Sequence, residues 1–183
     1  MEKDKKGFTI IEVVLVLAIA GLIFIMVFIA MPALRRNQRD QTRVRNISTI
    51  ISSMDSYRSH HQGKMPGMDT FGKPCVSSGS SNCNAVEDLN KYIKNYAIEL
   101  VEPTAGHEYT VTAAGSYGSS CVDTANAVSE QNDYYHIGFC YETTCESDDM
   151  TNADSFKKAS NNYVFTVIYR KVVGGLICQD NNG

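Results

Sequence analysis

The sequence predicts an α+β fold, in which a long amino-terminal helix packs against a head built on an antiparallel β-sheet. Two observations carry this prediction. Apolar residues fill 23 of the 27 positions from Phe8 to Leu34 and then recur at helical spacing as far as Tyr57. After Pro103, several short segments rich in Tyr, Val, Ile and Thr alternate with a period close to two.

The apolar run over residues 8–34 is long enough to cross a bilayer, which takes about 20 residues. A cleavable secretory signal has an apolar region of about 7 to 15 residues followed by a small-residue cleavage site. This run is about twice as long and leads into Arg35 and Arg36. The sequence therefore predicts a transmembrane helix and excludes a purely cytosolic soluble protein.

Glu12 is an acidic residue inside this run. A carboxylate at the centre of a membrane helix costs about 2.5 to 3.5 kcal/mol, and such residues usually have a function and a partner. A position near the helix start lowers that cost, because the interface and the positive end of the helix dipole are close. Glu12 is therefore either a dipole-stabilised carboxylate or a functional group.

The residues before the run form a recognisable pattern: Lys5 and Lys6, then Gly7-Phe8-Thr9, two aliphatic residues and Glu12. This pattern resembles the class III signal of type IV pilins and pseudopilins. The resemblance implies a pilin-like fold and a leader over residues 1–7. It also implies cleavage between Gly7 and Phe8 by a prepilin peptidase, with N-methylation of Phe8.

The resemblance also implies how the mature chain assembles. In that family the glutamate attracts the charged amino terminus of a neighbouring subunit, which here assigns the assembly role to Glu12 and its partner to Phe8. Residues 8–34 would then form the core of a filament of like subunits and minor pilins, built on a pilus assembly platform. The implied location is the cytoplasmic membrane for the single-pass precursor and the cell exterior for the filament.

Gly21 and Pro32 are the candidate positions for a helix bend. Gly21 falls where the family often has a glycine, and Pro32 lies three residues beyond the usual proline. Proline removes the hydrogen bond to the carbonyl of Phe28 and clashes with it, so we expect the helix to bend or loosen there. A kink buried in lipid is the alternative.

The charges around the span conflict with this topology. By the positive-inside rule, the larger number of basic residues after the span would place the carboxyl side in the cytoplasm. The family topology and the cysteines favour an extracytoplasmic head, which is the expectation adopted. The basic residues in question are Lys3, Lys5, Lys6, Arg35, Arg36, Arg39, Arg43 and Arg45.

Residues 35–60 are predicted to continue the helix with one apolar face, and residues 61–183 to form the head with a variable loop. Gly63-Lys64-Met65-Pro66 is similar to the Gly-x-x-Pro turn that follows this helix in the family. His60 and His61 diverge by about 100° on a helix, so basic side chains at the helix carboxyl end are favoured over a metal site.

Within the head, residues 85–98 are predicted to form a short amphipathic helix, and Gly174-Gly175 a hairpin turn. Four segments are predicted to be strands. They are Glu108 to Ala113, Tyr134 to Tyr141, Tyr163 to Lys171, and Leu176 to Gln179.

Six cysteines lie beyond the apolar run and none forms a C-x-x-C pair, which favours disulfides in an oxidising compartment over zinc. Fifteen connectivities are possible. Cys75 with Cys83 is the expected pair because the two enclose a short loop, and the other four stay open. The disulfide candidates are Cys75, Cys83, Cys121, Cys140, Cys145 and Cys178.

Other chemistry is weakly represented in the sequence. Beyond Arg45 there are nine basic and sixteen acidic residues, which gives no strong nucleic-acid signal. No catalytic motif is present, so we expect no enzyme activity, cofactor or metal. The stretch from Asp148 to Asp154 has calcium-type oxygen ligands but lacks the EF-hand order, and a solvated loop is favoured.

The function expected from this reasoning is that of a type IV pilus subunit serving adhesion, twitching motility or DNA uptake. The alternatives are a pseudopilin or minor pilin of a type II secretion or competence system. A membrane-anchored extracytoplasmic binding domain that never polymerises is the alternative from a different class.

Overall fold

The structure, a computed structural model, forms two compact units, Met1–Arg39 and Asp40–Gly183. One long helix enters both units, and the second unit carries the head. The predicted α+β fold class is confirmed. The residues that the structure describes are 7–67, 74–76, 89–101, 109–131, 135–150, 156–161, 163–172 and 174–182.

Helix α1 runs from Ile10 to His60. Within the first unit the large apolar side chains of α1 are exposed, and no part of its most apolar stretch is buried. By length and composition this helix can cross a membrane, as the sequence predicts. Exposure on every side is what a segment surrounded by lipid or by other helices requires.

In the second unit, α1 buries one face against the head. The spacing of three and four residues that the sequence shows places these side chains on one stripe. The helix ends where Gln62 and Gly63 adopt positive φ angles of 57° and 83°. The N–H of Gly63 donates to the carbonyl of Arg58 at 2.8 Å, which satisfies a terminal carbonyl. The fully or nearly buried members of the stripe are Ile47, Ile50, Ile51, Met54 and Tyr57.

The described part of the head contains eight strands, of which six form one sheet in the order β1-β2-β3-β7-β8-β5, while β4 and β6 form a two-stranded ribbon. The strands are β1 Leu100–Val101, β2 Tyr109–Ser116, β3 His136–Tyr141, β4 Thr143–Cys145, β5 Asp149–Met150, β6 Phe156–Lys158, β7 Phe165–Arg170 and β8 Leu176–Asp180.

The sheet is mixed, which corrects the prediction of an antiparallel sheet. Strands β3, β7, β8 and β5 pair antiparallel, but β1 with β2 and β2 with β3 pair parallel. The reason for the parallel pairing of β2 with β3 is a helix that the sequence did not reveal, α3, which spans Ser119–Glu130 and connects these two strands. A parallel pair needs a crossover connection of this kind.

Helices α1 and α3 cover opposite faces of the sheet. Along β3, Ile137 and Phe139 belong to the cluster that contains the stripe of α1, whereas Cys140 belongs to a second cluster with α3. Strand β7 alternates in the same way, because successive side chains point to opposite faces. The head therefore has a core on each side of the sheet.

The predicted short helix of the head is found with shorter bounds, and the predicted hairpin turn is found as well. Helix α2 spans Asn90–Ile93 and continues as a 3₁₀ turn over Lys94–Tyr96, while residues 85–88 of the predicted helix lie outside the described residues. Gly174 and Gly175 form the turn between β7 and β8 with φ angles of 96° and 85°. The N–H of Lys171 donates to the carbonyl of Gly175 at 3.0 Å.

Two disulfides lie within the described residues. Cys121–Cys140 joins α3 to β3, with Cα atoms 5.4 Å apart, and Cys145–Cys178 joins β4 to β8, with Cα atoms 5.8 Å apart. Cys75 is disulfide-bonded, and its expected partner Cys83 lies outside the described residues. The pairing of Cys75 with Cys83 stays a prediction.

Candidate functional site

The candidate site begins just before α1, where Gly7, Phe8 and Thr9 have no regular secondary structure. The Phe8 side chain is 87% exposed, and Gly7 is exposed as well. The Gly7–Phe8 peptide bond therefore lies outside the helix. A protease that binds an extended segment could reach this bond without unwinding α1.

Thr9 and Glu12 together cap the start of α1. The backbone N–H of Thr9 donates to Glu12 Oε2 at 3.0 Å, and the Thr9 hydroxyl donates to the same oxygen at 2.8 Å. The N–H of Glu12 in turn donates to the carbonyl of Thr9 at 3.1 Å. This reciprocal contact resembles a capping box, for which Thr-x-x-Glu is the usual sequence.

The Glu12 carboxylate keeps capacity for another partner. It is exposed, and both contacts from Thr9 are made to Oε2, whereas a carboxylate has two oxygens with about four acceptor positions. The capping contact fixes where the carboxylate sits along the helix. A cation beside the first turn could therefore bind Glu12 while Thr9 stays in place.

Residues 3–28 match the family described as the prokaryotic N-terminal methylation motif. The chain carries the class III signal of type IV pilins and pseudopilins. No curated protein and no solved structure matches the chain. The predicted resemblance is thus confirmed for the amino terminus, and the long helix followed by a sheet gives a pilin-like architecture. The motif and the apolar helix fit a membrane-anchored precursor.

Gly21 and Pro32, the two bend candidates, both lie within α1. Among the described residues, nothing lies within 4 Å of a Cβ added to Gly21. The chain is helical on both sides of Pro32. The bend itself stays a prediction.

The histidines lie where the sequence places them, at the carboxyl end of α1. His61 Nδ1 lies 2.7 Å from the carbonyl oxygen of Tyr57, and the His61 ring stacks on the Tyr57 ring with centroids 4.0 Å apart. Within the described residues, no group of three or more His, Cys, Asp and Glu side chains is arranged to hold a metal. Residues 151–154 of the candidate calcium loop lie outside the described residues.

Sequence reasoning missed the structural roles of two residues of α1 and its start, Thr9 and Arg43. Thr9 was readable from the Thr-x-x-Glu spacing, since a capping box has that signature. Arg43, which is only 5% exposed, had no local signal. The Arg43 guanidinium lies 4.5 Å from the ring centres of both Tyr109 and Tyr135, and this contact joins α1 to the head.

Proposed function

We propose that this chain is the structural subunit of a type IV pilus. A prepilin peptidase cuts the precursor after Gly7, Phe8 becomes the N-methylated first residue, and the subunits polymerise through α1 on the pilus assembly platform. The filament leaves the cytoplasmic membrane and becomes extracellular. The subunit has a structural role and no catalytic one.

The observation that carries this proposal is the position of Glu12. Its carboxylate is exposed on a helix whose neighbouring side chains are apolar and also exposed, among them Ile11, Val13 and Val16. A charge on such a surface is costly, and an opposite charge beside it lowers that cost, because a helix bundle or a bilayer holds little water. The amino group that cleavage creates on Phe8 of a neighbouring subunit would supply that charge.

The exposed apolar surface of α1 fits two successive apolar surroundings. In the precursor it faces lipid, and in a filament it faces the same surface of other subunits. A soluble monomer would carry this surface at a high cost, since burial of each large apolar side chain is worth about 1.5 to 3 kcal/mol. Polymerisation therefore gives the helix a second apolar environment after it leaves the membrane.

Substitution of Glu12 tests the proposal in cells that make the filament. Glu12→Ala removes both the charge and the capping acceptor, whereas Glu12→Gln removes the charge and keeps an acceptor for the Thr9 N–H. We expect both variants to insert and to be cleaved after Gly7, and neither to form filaments. Asp123→Ala, which removes an exposed carboxylate on α3, serves as the control and should assemble normally.

The results separate the possible roles. Normal filaments from Glu12→Gln would contradict the charge pairing, and loss of filaments only in Glu12→Ala would assign the effect to helix capping. Abundant wild-type protein in sheared surface filaments supports a major pilin. Protein confined to the membrane fraction would instead indicate a pseudopilin, a minor pilin or a non-polymerising anchor.

A further inference from the structure

A cluster of three arginines follows the last apolar residue of the span. Arg35, Arg36 and Arg39 come directly after Leu34, and all three side chains are exposed. At about 100° per residue, the three positions fall within an arc of about 100° on one side of the helix. We refer to these three residues as the arginine cluster.

The length of the span places the arginine cluster at the depth of lipid headgroups. Helix α1 rises about 1.5 Å per residue, so its stretch from Ile10 to Leu34 is about 37 Å long. The hydrocarbon core of a bilayer is about 30 Å thick, and the headgroup regions extend it to about 40 to 45 Å. The residues after Leu34 therefore lie among the phosphates of the second interface.

Acidic residues are scarce in the sequence that leads up to the arginine cluster. Between Glu12 and Asp40 the sequence has no acidic residue. One Arg35 nitrogen lies 3.6 Å from the sulfur of Met31, which is a weak acceptor. A phosphate oxygen is a much stronger acceptor for a guanidinium, which can bind it with two parallel N–H groups.

We propose that the arginine cluster binds the phosphates of anionic phospholipids in the leaflet at the head end of the span. The inference rests on the membrane-anchored precursor of the proposed function and does not depend on polymerisation. Beyond Arg45 the chain has nine basic and sixteen acidic residues, so the head as a whole is repelled by an anionic surface. The cluster is thus a local attraction that opposes the charge of the head.

This contact accounts for the basic residues that conflict with the positive-inside rule. Guanidinium groups bound to phosphate are neutralised in place, so the cluster can occupy the interface next to the head. The contact also holds the precursor in the membrane at a fixed depth. A subunit that enters a filament has to exchange these phosphates for other acceptors.

The experiment uses the uncleaved full-length protein in nanodiscs that contain equal amounts of phosphatidylcholine and phosphatidylglycerol. Native mass spectrometry of the protein released from the nanodiscs identifies and counts the lipids that stay bound. The test variant is R35Q/R36Q/R39Q, and the matched control is Arg45→Gln, which removes another exposed arginine of α1. A second arm adds inorganic phosphate, which separates a lipid headgroup from a free phosphate as the ligand.

We expect wild type and Arg45→Gln to retain phosphatidylglycerol in preference to phosphatidylcholine, by a factor of about five for each arginine bound. The triple variant, which keeps Lys3, Lys5 and Lys6 of the leader, should retain less phosphatidylglycerol than wild type, and millimolar phosphate should not displace the bound lipid. Equal retention by wild type, an unchanged preference in the triple variant, or displacement by phosphate would each overturn the proposal. A negative result in this lipid test would not affect the proposed cleavage and assembly, because separate experiments measure both.

Discussion

The guanidinium of Arg43 lies 4.5 Å from the ring centre of Tyr109, which fixes α1 to strand β2. The Tyr135 ring lies at the same distance, so the cation is held between two aromatic faces. At 5% exposure the guanidinium is almost fully desolvated, which strengthens the attraction between a cation and the ring electrons. This contact joins the helix to the head in addition to the apolar stripe of α1.

Replacement of Arg43 is predicted to destabilise the head. Arg43→Ala should lower the free energy of unfolding by about 2 to 4 kcal/mol, because it removes the cation and leaves a cavity. Arg43→Lys should cost less than Arg43→Ala but still be measurable, since an ammonium cannot stack as a plane between two rings. Urea unfolding of the detergent-solubilised chain measures both. Arg45→Ala is the control and should stay within about 0.5 kcal/mol of wild type.

The contact between α3 and β3 depends on a glycine. A Cβ on Gly138 would lie 2.6 Å from Thr124 Cγ2 and 3.0 Å from Val128 Cγ2, so Gly138→Ala should cost about 1 to 3 kcal/mol. Thr124→Ser removes the nearer methyl group and keeps a hydroxyl for the bond to the Ser120 carbonyl. The double variant should therefore recover part of the loss in a thermal unfolding assay. Additive effects of the two substitutions would contradict the steric account.

The disulfides are predicted to contribute strongly to a head of this size. Cys121–Cys140 closes a sequence separation of 19 and Cys145–Cys178 one of 33, which corresponds to about 3 and about 3.7 kcal/mol of loop entropy. Substituting either pair with alanine should lower the unfolding free energy by roughly these amounts. Non-reducing peptide mapping should find both pairs and, as a third, Cys75–Cys83. A cross-link between Cys75 and any other cysteine would refute the predicted connectivity.

Two buried tyrosines make the head sensitive to alkaline pH. Burial raises the pKa of the Tyr141 hydroxyl, and burial together with the nearby Asp40 carboxylate raises that of Tyr169. Above pH about 10 the unfolded chain loses these protons while the folded chain keeps them. Stability should therefore be unaffected by these groups below pH 10. Above it, stability should fall by up to about 1.4 kcal/mol per pH unit for each tyrosine.

Phenylalanine substitutions check this prediction. Among the described residues, neither the Tyr141 nor the Tyr169 hydroxyl has a hydrogen-bond partner, so Tyr141→Phe and Tyr169→Phe remove a buried polar group without breaking a contact. At neutral pH both variants should be as stable as wild type or slightly more stable. Above pH 10 each should lose stability less steeply than wild type, as followed by urea unfolding. An equally steep loss in both variants would assign the effect to other groups.

Much of the fold was readable from local sequence patterns. The long apolar run and the stripe after it predict α1, and alternation with the Gly174-Gly175 turn predicts β7 and β8. Helix α3 was missed although Cys121, Ala125 and Val128 recur at helical spacing. Cysteine and alanine carry little apolar surface, and the residues between them include Asp123, Thr124 and Asn126, which favour helices weakly.

The parallel pairing of β2 with β3 was missed for the same reason, because it depends on α3 as the crossover. The candidate site was readable to the extent that its residues are adjacent in the chain. Gly7, Phe8 and Glu12 fall within six positions, so their pattern is visible at once. The burial of Arg43 depends on Tyr109 and Tyr135, which are remote in sequence, and no local pattern could indicate it.

The amino terminus of the mature protein tests the central claim most directly. The exposed Gly7–Phe8 bond before α1 and the methylation motif over residues 3–28 lead us to expect one specific processed end. Top-down mass spectrometry of the protein isolated from its own cells should find a chain that begins with N-methylated Phe8. A chain that retains Met1, or that begins at any residue other than Phe8, would contradict the account.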